Sequence, residues 1–183
     1  SSASVSRLTV SQINQLSDDQ LRGLTSANIS GLVLAGVSTN KLAVIESVDV
    51  SGLSASSLQG LVSSQVNVLS TAQLQALSAS NVSGLSLDGV SSVKISAITE
   101  ASIAVLSSTQ LRSGLTAANI GGLTTAQVSS LASSTLSFID ASDVALLSST
   151  QIASLQSAQV GAMLTGQLQA LTTSNIVGLA MGG

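Results

Sequence analysis

From Leu123 to Leu179, fifteen aliphatic residues are separated by steps of five and three in strict alternation: Leu123, Val128, Leu131, Leu136, Ile139, Val144 and onward to Ile176 and Leu179. The same rhythm runs from Leu8 to Leu32 and resumes at Val37, Leu42, Ile45, Val50 and Leu53. This spacing constrains the fold more than any single residue does. A continuous α-helix turns about 100° per residue, so an eight-residue unit leaves about 80° of drift. The aliphatics of a long helix would then spiral around it and form no stripe. A half-buried strand alternates with period two, which steps of five and three do not satisfy. The chain needs a fold that turns a corner every eight residues.

The polar letters say how. In "LTTAQVSSL" (Leu123 to Leu131), Leu123 falls at N′, Thr124 at the N-cap, Gln127 at N3 and Val128 at N4. Thr at the N-cap accepts from the N3 amide, and Gln at N3 reaches back to the N-cap amide, which is a capping box. Leu123 against Val128 forms the hydrophobic staple that accompanies it. Ser, Thr or Asp fills the cap in fifteen of the twenty octads, and Gln, Asn or Asp fills N3 in fifteen. The N4 slot is aliphatic in all twenty. A helix-start signal issued every eight residues predicts helices of one to two turns, each followed by a bend. Isolated helices this short are unstable in water, so they must stack with Leu, Ile and Val inside. Gly often precedes the closing aliphatic, as at Gly23, Gly31, Gly52, Gly60, Gly84, Gly122 and Gly178. That placement is read as a helix exit.

The expected fold is an all-α repeat solenoid of short capped helices, one per octad, with short extended links. The alternative is a β- or helix/strand solenoid, favoured by β-branched residues and by "KLAVI" and "KISAI". Gln, Ala and Leu inside the octads favour helix. The expected organisation is a single solenoid domain over 1–183: octads 8–31, link 32–36, octads 37–84, link 85–89, octads 90–178 and a terminal link 179–183. "LVLAG" and "LSLDG" form the first two links, and their alternating leucines read as extended. One extra residue lies near Gly114. A longer period sits above the octad, since Gly31 to Leu53 matches Gly84 to Leu106 with an offset of 53 residues.

The octads "LTTAQV", "LSTAQL", "LSSTQI" and "LTTSNI" resemble the Leu-Thr-Thr-Ala-Gln type repeats of large, Ser/Thr/Ala-rich secreted or surface proteins of bacteria, among them adhesins and matrix proteins. The resemblance spans Leu8 to Leu179. It implies an extracellular or cell-surface, structural or adhesive role, and it brings no active site with it. The calcium-binding Gly-Gly-x-Gly-x-Asp nonapeptides that accompany such proteins are missing from the sequence.

Composition narrows the chemistry. Charged residues are 7% of 183, the net charge is −3, and there is no His, Cys, Pro, Trp or Tyr. Five basic residues and one aromatic argue against nucleic-acid binding, which needs clustered cations and stacking platforms. "GLVLAGV" (Gly31 to Val37) is the most continuous apolar stretch, far short of the ~20 residues of a spanning helix, so no membrane insertion is expected. The opening "SSASVSRL" has no apolar signal core, and the chain reads as a mature product or a piece of something longer.

No catalytic, cofactor-binding or metal-binding residue is expected, and the chain is read as no enzyme. Asp18/Asp19, Glu46/Asp49 and Asp140/Asp143 sit at helix starts, where carboxylates suit the local dipole. Without His, neither a usual metal set nor a Ser-His-Asp device is available. Lys41 and Lys94 occupy matching N3 slots and are read as solvated. Asn28 and Asn81 match the N-glycosylation sequon, and both are also octad N3 positions.

The functional expectation is a structural rod, fibre segment or adhesin stalk. Its partner is itself, as a homo-oligomer or filament, or flanking repeats of a longer chain. Neither terminus carries a polar capping unit, and solenoid ends otherwise expose apolar edges. Aliphatics near Leu8 and Ile13, and near Ile176 and Leu179, are therefore expected to lie uncovered. The alternative function is a surface- or ligand-binding module, for ice or glycan, using Ser/Thr rows such as Thr124/Thr125 and Thr172/Thr173.

Overall fold

The computed structural model describes residues 5–181. Among them are seventeen α-helices of four to seven residues, three 3-10 helices of three residues, and no strand. The all-α reading holds, and the β alternative is set aside. Helices Val10–Gln15, Asp18–Arg22, Thr71–Gln75, Thr125–Ser130 and Ser149–Ala153 all start at the Ser or Thr that the octad places at the N-cap. Each has both halves of its capping box, as when Ser70 Oγ accepts from the Gln73 amide at 3.1 Å and Gln73 Oε1 accepts from the Ser70 amide at 2.8 Å.

The chain divides into two compact units, Ser1–Ser86 and Leu87–Gly183, with the division inside the second link. In the first unit, Thr39–Val44 packs against Ser63–Val68, and Ser47–Val50 against Thr71–Gln75. In the second, Ser133–Leu136 packs against Ser157–Ala162, and Ala141–Val144 against Thr165–Ala170. Each partner is three octads further along, so three octads complete one coil.

The aliphatics face inward as the spacing requires. Leu74 and Leu77 are 0% and 3% exposed, while Gln75 between them is exposed. Burying a side chain of this size contributes roughly 1.5–3 kcal/mol, and the octad supplies two. This burial stabilises helices too short to persist alone.

The links behave as short sides of the coil. Residues 32–34 and 85–87 are neither helix nor turn; Leu32, Leu34, Leu85 and Leu87 are buried, and Val33 and Ser86 between them are exposed. Gly36 and Gly89 end them with φ of +80° and +67°, a left-handed conformation that glycine adopts without steric penalty. The terminal link read over 179–183 is corrected in part: Val177–Met181 is helical, and residues 182–183 lie outside the described residues. The extra residue near Gly114 is absorbed by Ser108–Gly114, the longest helix described at seven residues.

Of the seven glycines before the closing aliphatics, Gly23 caps the end of Asp18–Arg22 as expected, whereas Gly52, Gly84, Gly122 and Gly178 serve a different purpose. Only Gly60 of the seven has positive φ, +83°. At Gly84 a Cβ would land on the Ala55 carbonyl oxygen, and at Gly122 on that of Ser92. These glycines let one coil settle directly on the first helical turn of the coil before it.

Candidate functional site

The side chain that organises the coils is the N3 amide. Sequence spacing assigns it one task, reaching back to its own N-cap. The structure gives it two. Gln73 is 2% exposed. Its Oε1 accepts from the Ser70 amide at 2.8 Å, while its Nε2 donates to the carbonyls of Leu42 at 2.9 Å and Ile45 at 2.7 Å. Those carbonyls lie at the end of a helix in the coil before, among the groups a short helix leaves unsatisfied. One glutamine therefore caps the start of its own helix and the end of a helix in the coil before it, Thr39–Val44.

The pattern recurs in each unit. In the first, Gln65 donates to Leu34 and Val37, and Asn81 to Val50 and Leu53. In the second, Gln159 donates to Val128 and Leu131, and Gln167 to Leu136 and Ile139. Asn119 and Gln127 reach 29 and 32 residues back, whereas the others named reach 28 and 31. The extra residue within Ser108–Gly114 and near-by chain accounts for the one-residue shift. Where the N-cap offers no suitable acceptor, at Val62 and Leu164, the Gln still takes the cap amide at 3.0 and 2.9 Å. Among buried side-chain polar atoms of the described residues none lacks a partner.

Three of the four Asn octads differ in helix type from the Gln octads; the fourth, at Asn175, leads into the α-helix Val177–Met181. The Asn octads at Asn28, Asn81 and Asn119 carry the 3-10 helices Ile29–Gly31, Val82–Gly84 and Ile120–Gly122. The shorter amide still accepts from its cap residue, at 2.9 Å in all three. The tighter 3-10 turn suits that shorter reach.

The charged residues do not gather. Among the described residues no three His, Cys, Asp or Glu could share a metal ion. Lys41, expected to be solvated, instead reaches Asp18 at 2.9 Å. That hydrogen bond and the cation's charge lower the Asp18 pKa. The stability linked to Asp18 is thus present above its ordinary value and lost as pH falls through the lowered one. Asp19 faces Arg22 at 3.4 Å in an exposed pair, a type worth little in water. Asp49 and Asp143 are buried at 7% and 8% exposure. Burial first, then the nearby Asp140, raises the Asp143 pKa, while a hydrogen bond from the Ala117 backbone opposes the rise. Glu46 and Asp140 act as N-cap residues by backbone conformation without a side-chain cap bond. Lys94 lies in the helix Ser92–Ile95.

The Asn81 sequon is placed away from solvent: its Nδ2 points to two backbone carbonyls, and the residue is 1% exposed. Asn28 is half-buried, with Oδ1 on the Thr25 amide. Thr124, Thr125, Thr172 and Thr173 are exposed. Arg112 lies over the Phe138 ring at 5.3 Å, beside a shallow groove with Ser108 and Ser113. No helix among the described residues is long and apolar enough to cross a membrane.

Coils of three short helices, joined by an amide ladder and without a gathered set of metal-ligating groups among the described residues, define a helical repeat protein. The family described as the ALTTAQ repeat matches residues 42–79 and 137–173, one stretch in each unit. No curated protein and no solved structure matches the chain.

The ladder was the part that sequence spacing left out. The available signal was chemical: Gln persists at N3 even behind Val62 and Leu164, where a reciprocal capping box cannot form. A residue retained where its known task is halved has another task.

Proposed function

We propose that this chain is a structural element that assembles with copies of itself or with flanking repeats into a rod, fibre segment or adhesin stalk at the cell surface or outside the cell. The observation that carries the reading is the ladder. Each coil leaves the carbonyls that the next coil's amides require, so a coil is a template for another of its kind. Sparse charge supports it, because little like-charge repulsion opposes contact between copies. The extracellular placement rests on the resemblance of the octads to those of secreted and surface proteins.

Negative-stain microscopy and light scattering over rising concentration test this. Filaments or concentration-dependent growth are expected. A chain that stays monomeric at high concentration contradicts self-assembly and leaves a stalk segment within a longer polypeptide as the role.

A further inference from the structure

The ladder has two ends with opposite chemistry. At the first coil, the N3 residues are Gln12, Gln20 and Asn28. Their side-chain oxygens accept from the amides of Thr9, Ser17 and Thr25 at 2.9, 2.8 and 2.9 Å. Their NH2 groups have no preceding coil to reach among the described residues. Gln12 and Gln20 are exposed and Asn28 is half-buried, where Gln65, Gln73 and Asn81 are 5%, 2% and 1% exposed. Three amide donors thus stand eight residues apart on one end of the first unit.

The last coil of the second unit carries the matching acceptors. The carbonyls of Val160 and Met163, and of Leu168 and Leu171, hold the positions that receive N3 amides elsewhere, yet no side-chain amide reaches them among the described residues. The apolar surface there is open too. Leu168 and Ile176 are 38% and 45% exposed, although N4 residues of inner coils such as Leu42 and Val66 are 0%. The same unit carries a groove of about 390 Å³, lined by Ile152, Leu155, Val160 and Leu179 among others. On the first coil Leu16 and Leu24 are half-buried, whereas the equivalent closing residues Ile45 and Leu53 are 6% and 5% exposed. Ile13, expected to lie uncovered, is 1% exposed; the closing leucines are the partly bare ones at this end.

We propose that the first coil of one copy docks on the last coil of a second copy by completing the same ladder. In a stack that keeps the register of the inner rungs, whose amides reach carbonyls 31 and 28 residues back, Gln20 donates to the carbonyls of Val160 and Met163, and Asn28 to those of Leu168 and Leu171. The half-bare leucines close over the open apolar surface. The joint is heterologous, donor end to acceptor end, so repetition builds an open fibre unless the rotation happens to close a ring. This rests on the self-assembly reading above and names the surfaces that perform it.

The test uses the double variant Gln12→Glu/Gln20→Glu. Each Glu keeps the oxygen that accepts the cap amide, and a carboxylate suits a helix start, so the local helices persist. Each loses the donor and turns an anion toward carbonyl oxygens. The control, Gln59→Glu/Gln75→Glu, adds the same charge at exposed positions of inner coils. Sedimentation velocity over a wide concentration range is run on the wild type and both variants. The expected result is assembly of the wild type and the control. The first-coil variant should associate at least about tenfold more weakly per substitution, the scale of a donor and acceptor left unpaired, with an unchanged circular dichroism spectrum. Assembly equally weakened in the control, or unchanged in the first-coil variant, overturns the end-to-end ladder while leaving self-assembly intact. A monomeric wild type overturns both.

Discussion

Replacing Gln73 with Leu keeps nearly the same volume and removes every hydrogen bond the side chain makes. Three are lost: one from the Ser70 amide at 2.8 Å and two to the carbonyls of Leu42 and Ile45 at 2.9 and 2.7 Å. The Leu42 carbonyl keeps the Ile45 amide at 3.3 Å. The Ser70 amide and the Ile45 carbonyl are left without a protein partner in a place where Gln73 is 2% exposed. A buried polar group without a partner costs about 1–3 kcal/mol, so two cost about 2–6 kcal/mol. Added apolar contact from Leu offsets part of this, and a net loss of about 3 kcal/mol is expected. Gln20→Leu is the matched control. Gln20 has the same octad position and the same cap bond, from the Ser17 amide at 2.8 Å, but it is exposed. Water replaces what it gives up, and the cost should stay below about 1 kcal/mol. Urea unfolding followed by far-UV circular dichroism compares the two. Repeat arrays depart from two-state behaviour, so the comparison is made transition by transition. Equal destabilisation by the two substitutions would refute the claim that N3 amides join coils.

Neighbouring glycines offer a second comparison. Gly122→Ala pushes a Cβ into the backbone of Ser92, whereas a Cβ at Gly121 meets nothing within 4 Å; thermal melts should show marked destabilisation for the first and little change for the second. Asp143→Asn should stabilise the chain at neutral pH. The Asp143 pKa is raised above its ordinary 3.8, so the native wild type sheds its proton later than the unfolded chain, and stability falls as pH rises from about that value through the raised one. The gain from Asn should therefore vanish in melts run below the ordinary carboxylate range. Ser70→Ala removes a cap oxygen and should cost about 1 kcal/mol, whereas Ser129→Ala, whose hydroxyl only bonds the Ala126 carbonyl of its own helix, should cost less in the same urea assay.

What could be read from the sequence was whatever repeats within one octad. The five-and-three spacing put Leu74 and Leu77 inside and Gln75 outside, and the cap letters put helix starts at Ser17, Ser70 and Thr124. Relations between octads were less accessible. The closure of a coil after three octads comes from side-chain reach and close backbone approach, and neither changes the local pattern. Gly84 and Gly122 look like helix exits from sequence because a close approach and a left-handed turn both call for glycine. Lys41 looked solvated because its partner, Asp18, is 23 residues away. At the ends, Ile13 was misjudged because an octad seen alone does not show which of its two aliphatics faces the missing neighbour.

The central claim, that N3 amides are buried rungs between coils, is tested most directly by two glutamines of one helix. Gln73 and Gln75 are two residues apart in Thr71–Gln75, yet one is buried on two carbonyls and the other is exposed. Hydrogen exchange of their side-chain NH2 groups, resolved by NMR, compares them within one molecule. The Gln73 protons should exchange far more slowly than those of Gln75, with protection lost only as the unit opens. Equal and rapid exchange at both positions would contradict the ladder and the coil that depends on it.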